Sequence, residues 1–279
     1  MRKKCFQREK REAEAKREPR PQDTTLDYTI GPITADEATA FIKRYEWLNT
    51  LGHPSACYGA RDRITGEIVA VAVFGKPNLQ STLVCRRIKN ITKLTDEDRA
   101  YIATVACLER GACAHWAHPH TASWFIPRVL KLAHEQHGWK IFYAYSDMNA
   151  GEIGTIYQAC NWLYIGQGNG RGLLRGKVRP RWLFWDWVKG QPTQRFPLGW
   201  ISSRAFFRPG RTLKEHVWKR NGKVLGKRTK KKSWEERDNV AKHKYVQFVC
   251  DTSKERRVLI RALRYPSLPY PKRGPQQSS

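Results

Sequence analysis

Hydrophobic and polar positions alternate most regularly between residues 27 and 75. The spacing predicts a strand from Asp27 to Ile33 and a helix from Ala35 to about Tyr45, with Thr34 as its cap and Glu37 completing a capping box. Ser55 to Arg61 and Glu67 to Gly75 then read as an antiparallel hairpin turning through Thr65-Gly66, with Ile68, Ala70, Ala72 and Phe74 on one face. Thr82 to Ile88 reads as a further strand, Thr95 to Arg99 as a helical turn, and Tyr101 to Leu108 as a buried strand. A helix from about Thr121 to Gln136 stops at Gly138; Pro127 inside it requires the first turn to begin close to Ser123.

The densest patterning lies at residues 139–166, WKIFYAYSDMNAGEIGTIYQACNWLYIG. Lys140 to Tyr145 is a buried strand by composition, and Ser146-Asp147 closes it. Glu152 to Cys160 takes helical spacing, Asn161 stops the helix, and Trp162 to Ile165 returns as a strand. The end of a strand and the phenol of the next helix, Tyr157, therefore flank one cleft, a common way for α/β proteins to build a site.

Composition and charge add the partner. The 279 residues carry eleven Trp, eleven Tyr and ten Phe, enough for a sizeable core, and a formal charge of +27, which calls for a polyanion. Nucleic acid fits this spread of Lys and Arg better than a membrane surface, because no amphipathic basic helix stands out; a ribosomal-type structural binder remains an open alternative. Residues 1–25 are expected to form a basic disordered or loosely helical arm, 26–190 the main domain, and 191–279 a basic nucleic-acid-binding extension. Lys219, Arg220, Lys227, Arg228, Lys230, Lys231 and Lys232 form the strongest basic run, with no acid among them. Within the extension, residues 242–263 read as a small strand-and-helix unit. Seven scattered cysteines without a C-x-x-C pair imply reduced thiols in a reducing compartment, and the longest apolar run, Ile68 to Phe74, is too short to span a bilayer.

The element order resembles that of the GNAT acyltransferases, a mixed, mostly antiparallel sheet flanked by helices. IYQACNW resembles that family's L-Y-x-x-x-G-F pattern, in which the tyrosine, here Tyr157, serves as general acid toward the thiolate of coenzyme A. Where the family holds pyrophosphate in a glycine-rich loop, this chain has Arg110-Gly111-Ala112-Cys113-Ala114, a departure with only one glycine. Glycines in GQGNGRG beyond Gly166 read as a turn, because no helix follows them.

Leu108 and Arg110, then Ser123 opening a helix, then YSDMNAGEIGTIYQACNWLYIG resemble more closely the Mom family of phage DNA-modification proteins, which are divergent GNAT folds. That resemblance implies conversion of adenine in double-stranded DNA to a methylcarbamoylated adenine that protects phage DNA from host restriction. It further implies action in the cytoplasm of the host cell, on a base taken out of the stack. An acetyl-CoA-like acyl donor is one implied cofactor, with Arg110, Gly111 and Ser123 to hold it. Iron is another, for which Cys107, Cys113, His115, His118 and His120 are the candidates, although their spacing is not that of a structural zinc site. Carried over residue by residue, Arg110 would hold an anionic group, Asp147 would take or orient a proton from the adenine amine, Tyr157 would donate one, and Ser123 would add a hydrogen-bond donor. Relatives carry a His-Tyr pair where this chain has Glu46-Trp47. Glu46 is thus an alternative base, and Trp47 either stacks on an extruded DNA base or closes the core. The bland alternatives are that Asp147 caps a helix and Tyr157 is a core aromatic. A conventional N-acyltransferase acting on another amine and a non-catalytic nucleic-acid-binding protein also stay open, as does a homodimer.

Overall fold

In a computed structural model of the chain, the described residues are 5–88, 93–168, 173–176, 185–186, 191–192, 201–202, 234–237 and 242–272. The chain divides into two compact units, residues 1–168 together with 242–279, and residues 169–241. The boundary expected near residue 190 lies outside the described residues; the first stretch of the main unit ends at 168 and the chain returns to it at 242.

The main unit is built on a seven-stranded sheet. Its strands in chain order are β1 (Tyr28–Pro32), β2 (Pro54–Asp62), β3 (Ile68–Gly75), β4 (Val105–Cys113), β5 (Ile141–Ser146), β6 (Leu163–Gln167) and, after the second unit, a strand at His243–Phe248. That last strand lies between β5 and β6, so the spatial order is β1, β2, β3, β4, β5, 243–248, β6. Every neighbouring pair is antiparallel except β4 and β5, which run parallel and are joined through the helix at Thr121–His137. This is the mixed, mostly antiparallel sheet with flanking helices that the sequence resemblance implies.

Two apolar clusters cover its faces. Helix α2 (Ala35–Tyr45), after α1 (Phe6–Arg17), buries Ala38, Phe41, Ile42 and Tyr45 on one face together with Phe125, Val129 and Leu130 of the Thr121–His137 helix, against Tyr58, Phe74, Leu108 and Phe142. On the other face Val105, Ile141, Tyr143, Val246 and Phe248 meet Tyr101 and, from the helix at Ser253–Arg261, Leu259 and Ile260. The self-contained local signals are present in the fold. Thr34 and Glu37 form the expected capping box, with Glu37 N–H donating to Thr34 Oγ1 at 3.2 Å and Thr34 N–H to Glu37 Oε2 at 2.9 Å.

Four expectations are corrected. Residues 82–88 form no strand: α3 (Leu79–Thr82) and turns replace it, because both edges of β3 are already taken by β2 and β4, and Val84 is buried in the second core instead. Tyr101 belongs to α4 (Asp96–Ala103), capped by Thr95, and the strand starts only at Val105. The next helix, α5 (Thr121–His137), has His120 as N-cap, so Pro127 lies beyond the first turn. Its missing N–H leaves the Ser123 carbonyl outside the helical ladder, where it accepts the Cys160 thiol at 3.8 Å. Finally, the helix expected from Glu152 is confined to α6 (Thr155–Ala159) after a 3₁₀ turn at Met148–Ala150, since Gly151 and Gly154 hold left-handed φ of 73° and 70°.

The basic arm and extension are also partly folded. In α1, Glu14 is buried and accepts Arg44 Nε at 3.1 Å. Residues 242–272 supply β12 (His243–Phe248) and α7 (Ser253–Arg261) to the main unit rather than a unit of their own. In the second unit the described residues give β7 (Leu173–Gly176) between β10 (Ile201–Ser202) and β11 (Trp234–Arg237), all antiparallel, and a short pairing of β8 (Trp185–Asp186) with β9 (Gln191–Pro192).

Candidate active site

Parallel pairing of β4 with β5 covers only Val105–Leu108 against Ile141–Ala144. Past that point β4 shifts register against β3, with Glu109 as the extra residue between Leu108 and Arg110, a β-bulge that bends the strand. The two strands stop pairing at their carboxyl ends, and the sheet opens between Glu109 and Tyr145. The chain then places the Ser146-Asp147 turn, the end of α2 and the start of α6 around this opening.

Asp147 is the first residue past β5. Its Oδ2 lies 3.1 Å from Lys242 Nζ, the residue just before β12, and its backbone N–H donates to Glu152 Oε2 at 3.3 Å. The other oxygen of Glu152 accepts the Trp47 indole N–H at 3.0 Å. Glu46, the C-cap of α2, is 5% exposed and accepts the Leu48 N–H at 2.8 Å. Burial raises the Glu46 carboxyl above the ordinary range, Arg110 opposes this, and Glu152 adds to it. Burial likewise raises Glu152, against the hydrogen bonds from Asp147 and Trp47. Two hard-to-ionise carboxyls, an ion-paired carboxylate and an arginine thus share one small region.

Tyr157, on α6, packs its ring 5.2 Å from Trp162 and 5.0 Å from Tyr245. Its phenol is raised far above an ordinary tyrosine, first by burial and then by Glu152. Among the described residues its hydroxyl makes no hydrogen bond, so it stays protonated with an unspent donor. The partly buried ring packs against the core, while the hydroxyl takes no part in that packing. Tyr245 holds α6 in place by donating to the Ile153 carbonyl at 2.5 Å.

Arg110 is committed to the chain around it, donating from Nε to the Thr50 carbonyl at 2.7 Å and from Nη1 to the Glu109 carbonyl at 2.6 Å. Ser123 uses its hydroxyl within its own helix, donating to the His120 carbonyl at 3.0 Å. Trp47 is neither isolated nor wholly interior: besides Glu152, its ring meets Phe6 edge-on at 5.4 Å. Lys219, Arg220, Lys227, Arg228, Lys230, Lys231 and Lys232 lie outside the described residues.

Coenzyme A needs backbone amides converging on its pyrophosphate. Here Arg110, Gly111, Ala112 and Cys113 pair with β3 along one edge of β4, and α5 begins only at Thr121, so no helix amino end follows directly on them. The metal expectation fails on geometry. Among the described residues no group of three or more His, Cys, Asp or Glu side chains could hold an ion. His115 Nε2 is engaged with the Glu18 carbonyl at 2.8 Å, and burial pushes the Cys107 and Cys113 thiols up to about 12, far from the thiolate a metal requires.

Glu152, Lys242, Tyr245 and Gln7 were not anticipated as site residues. Glu152 carried a signal: it is the one acid in an otherwise apolar and glycine-rich stretch, residues 148–166. Lys242 carried none, because only the insertion of β12 beside β5 brings it to Asp147.

With this geometry in view, the family comparison is decisive: the model of the Mom protein family matches residues 27–179, more than half of the chain. The chain belongs to the Mom protein family. The matched region of this Mom protein contains Glu46, Trp47, Arg110, Asp147, Glu152 and Tyr157, but neither α1 nor β12. A search of curated proteins finds no match. Solved structures similar to it include a GNAT family acetyltransferase from Elizabethkingia anophelis with acetyl-CoA bound, at 11% identity over 81% of this chain and 100% of that one, TM-score 0.32. Another is a polyamine N-acetyltransferase from Drosophila melanogaster, at 9% identity over 80% and 100%, TM-score 0.37. Likeness at that level carries no argument about the site. No helix among the described residues is long and apolar enough to cross a membrane.

Proposed function

We propose that this Mom protein is a DNA-modifying transferase that converts adenine in duplex DNA to methylcarbamoyl-adenine, the product its family resemblance implies. The observation that carries the reading is that an ion-paired carboxylate, Asp147, and a phenol without a hydrogen-bond partner among the described residues, Tyr157, both interact with Glu152 inside the family-matched segment. As the exocyclic amine of adenine bonds to the donor carbon, the nitrogen must lose a proton and the group leaving that carbon must gain one. Asp147 takes the first and Tyr157 supplies the second, so protons balance without either residue changing place. Lys242 gives the Asp147 carboxylate a cationic partner before the proton arrives. Since the target amine is paired within the duplex, the base must leave the stack, and Trp47 offers a ring on which it can rest. The surplus of Lys and Arg in the chain supports a phosphate-rich substrate.

The test is mass spectrometry of nucleosides digested from the DNA of cells expressing the full chain. A methylcarbamoyl-adenine signal present with the wild type and lost with Asp147→Asn or Tyr157→Phe supports the proposal. Unmodified nucleosides alone from well-expressed wild-type protein would remove it.

A further inference from the structure

The family match begins at residue 27, yet α1, upstream of it, reaches the site. Gln7 bridges the end of α2: its amide nitrogen donates to the Tyr45 carbonyl at 2.6 Å, and its amide oxygen accepts the Trp47 N–H at 3.2 Å. One planar group thereby fixes the backbone on both sides of Glu46. Phe6, next to it, sets its ring edge against the Trp47 indole at 66°. The helix is secured along its length as well. Arg11 donates to the His115 carbonyl at 3.1 Å, buried Glu14 accepts Arg44, and Glu18 accepts the other side of the same guanidinium.

Trp47 needs such support. It follows the C-cap of α2 on an irregular connection that includes Asn49 at a left-handed φ of 54°, so no ladder of backbone hydrogen bonds holds it. What it holds in turn is Glu152, and Glu152 holds the N–H of Asp147. The contacts run without a gap from Gln7 through Trp47 and Glu152 to the backbone of Asp147.

We propose that α1 is a positioning element of the active site, with Gln7 and Phe6 as positioning residues that set Asp147 through Trp47 and Glu152. The proposal rests on the reading of Asp147 as a working residue, but its physical core is a relay of order that can be read without any reaction. A twelve-residue helix rich in charged residues has little stability alone, so the docking and the ordering of the Glu46-Trp47 segment occur together.

Backbone hydrogen exchange of the full chain, read by mass spectrometry, tests it with Gln7→Met, which keeps the bulk of the side chain and removes both hydrogen bonds. Exchange is expected to rise about fivefold, the factor one modest hydrogen bond supplies, in residues 46–49 and also in 147–152, while β3 and α5 are unchanged. Trp47→Phe, which breaks the middle link, should raise exchange in 147–152 by a similar factor with α1 still docked. The same Gln7→Met protein should make less modified nucleoside in cells at unchanged DNA affinity. A rise confined to 46–49 would overturn the relay, and so would full modification by Gln7→Met despite faster exchange in 147–152. If the wild type modifies no DNA, the proposed function falls, and the exchange pattern still decides the relay.

Discussion

The Trp47 indole N–H donates to Glu152 Oε1 at 3.0 Å, joining the segment after α2 to the turn after β5 across 105 residues of sequence. A partly buried carboxylate that loses a donor keeps its desolvation cost, so the bond is worth more when broken from one side than its net contribution. Trp47→Phe should therefore lower stability by about 1–3 kcal/mol, whereas adding Glu152→Gln should recover part of that loss. Urea unfolding of the two single variants and the double variant measures the coupling. Additive effects would mean that the two side chains do not support one another.

Gly154 makes a sharper stability prediction. It holds φ of 70°, and a Cβ there would sit 2.4 Å from Tyr245 Cε2 and 2.6 Å from its Cζ. Gly154→Ala combines left-handed backbone strain with a clash against a fully buried ring, a cost of about 2–4 kcal/mol. Gly66→Ala is the matched control: φ is 73° and nothing lies within 4 Å of the added carbon, so only the strain of about 1–2 kcal/mol applies. Thermal unfolding of the pair separates the two terms.

These contacts show where the sequence was legible. The Thr34 capping box, the β2–β3 hairpin and the left-handed Asn161, with φ of 55°, depend on neighbours within a few residues, and all are found. Residues 243–248 were legible as a strand but not as the strand that separates β5 from β6, because β-pairing partners are chosen by edges left open elsewhere in the chain. The same blindness hid Lys242 beside Asp147 and Tyr245 beneath α6. Asp147 and Tyr157 stand out by their motif, whereas Glu152, although the one acid in its stretch, could not be tied to Trp47, which lies 105 residues away in sequence.

The buried Glu46 carboxyl predicts a pH dependence with a definite sign. Its affinity for protons is higher folded than unfolded, chiefly from burial, so the folded state binds more protons between the two values. Stability from this group is therefore greatest at low pH and declines as pH rises through the raised folded value, above which it is constant. Glu46→Gln removes the titration. Between about pH 4 and pH 8, unfolding free energies should show the wild type losing ground to Glu46→Gln as pH increases. A parallel pair of curves would show that Glu46 ionises as readily in the folded protein as in the unfolded one.

Tyr157 separates a working hydroxyl from a packed ring. Because the ring contacts with Trp162 and Tyr245 do not involve the oxygen, and the oxygen has no hydrogen-bond partner among the described residues, Tyr157→Phe removes nothing the fold relies on. Its unfolding free energy should match that of the wild type within about 0.5 kcal/mol. Tyr157→Ala, by contrast, should cost about 3–5 kcal/mol through the cavity it leaves. If the phenol donates the proton that the leaving group needs, modified nucleoside should fall about a hundredfold or more in Tyr157→Phe with DNA binding retained. Retained modification by this stable variant would confine Tyr157 to packing and leave Asp147 and the buried Glu46 as the candidates for proton transfer.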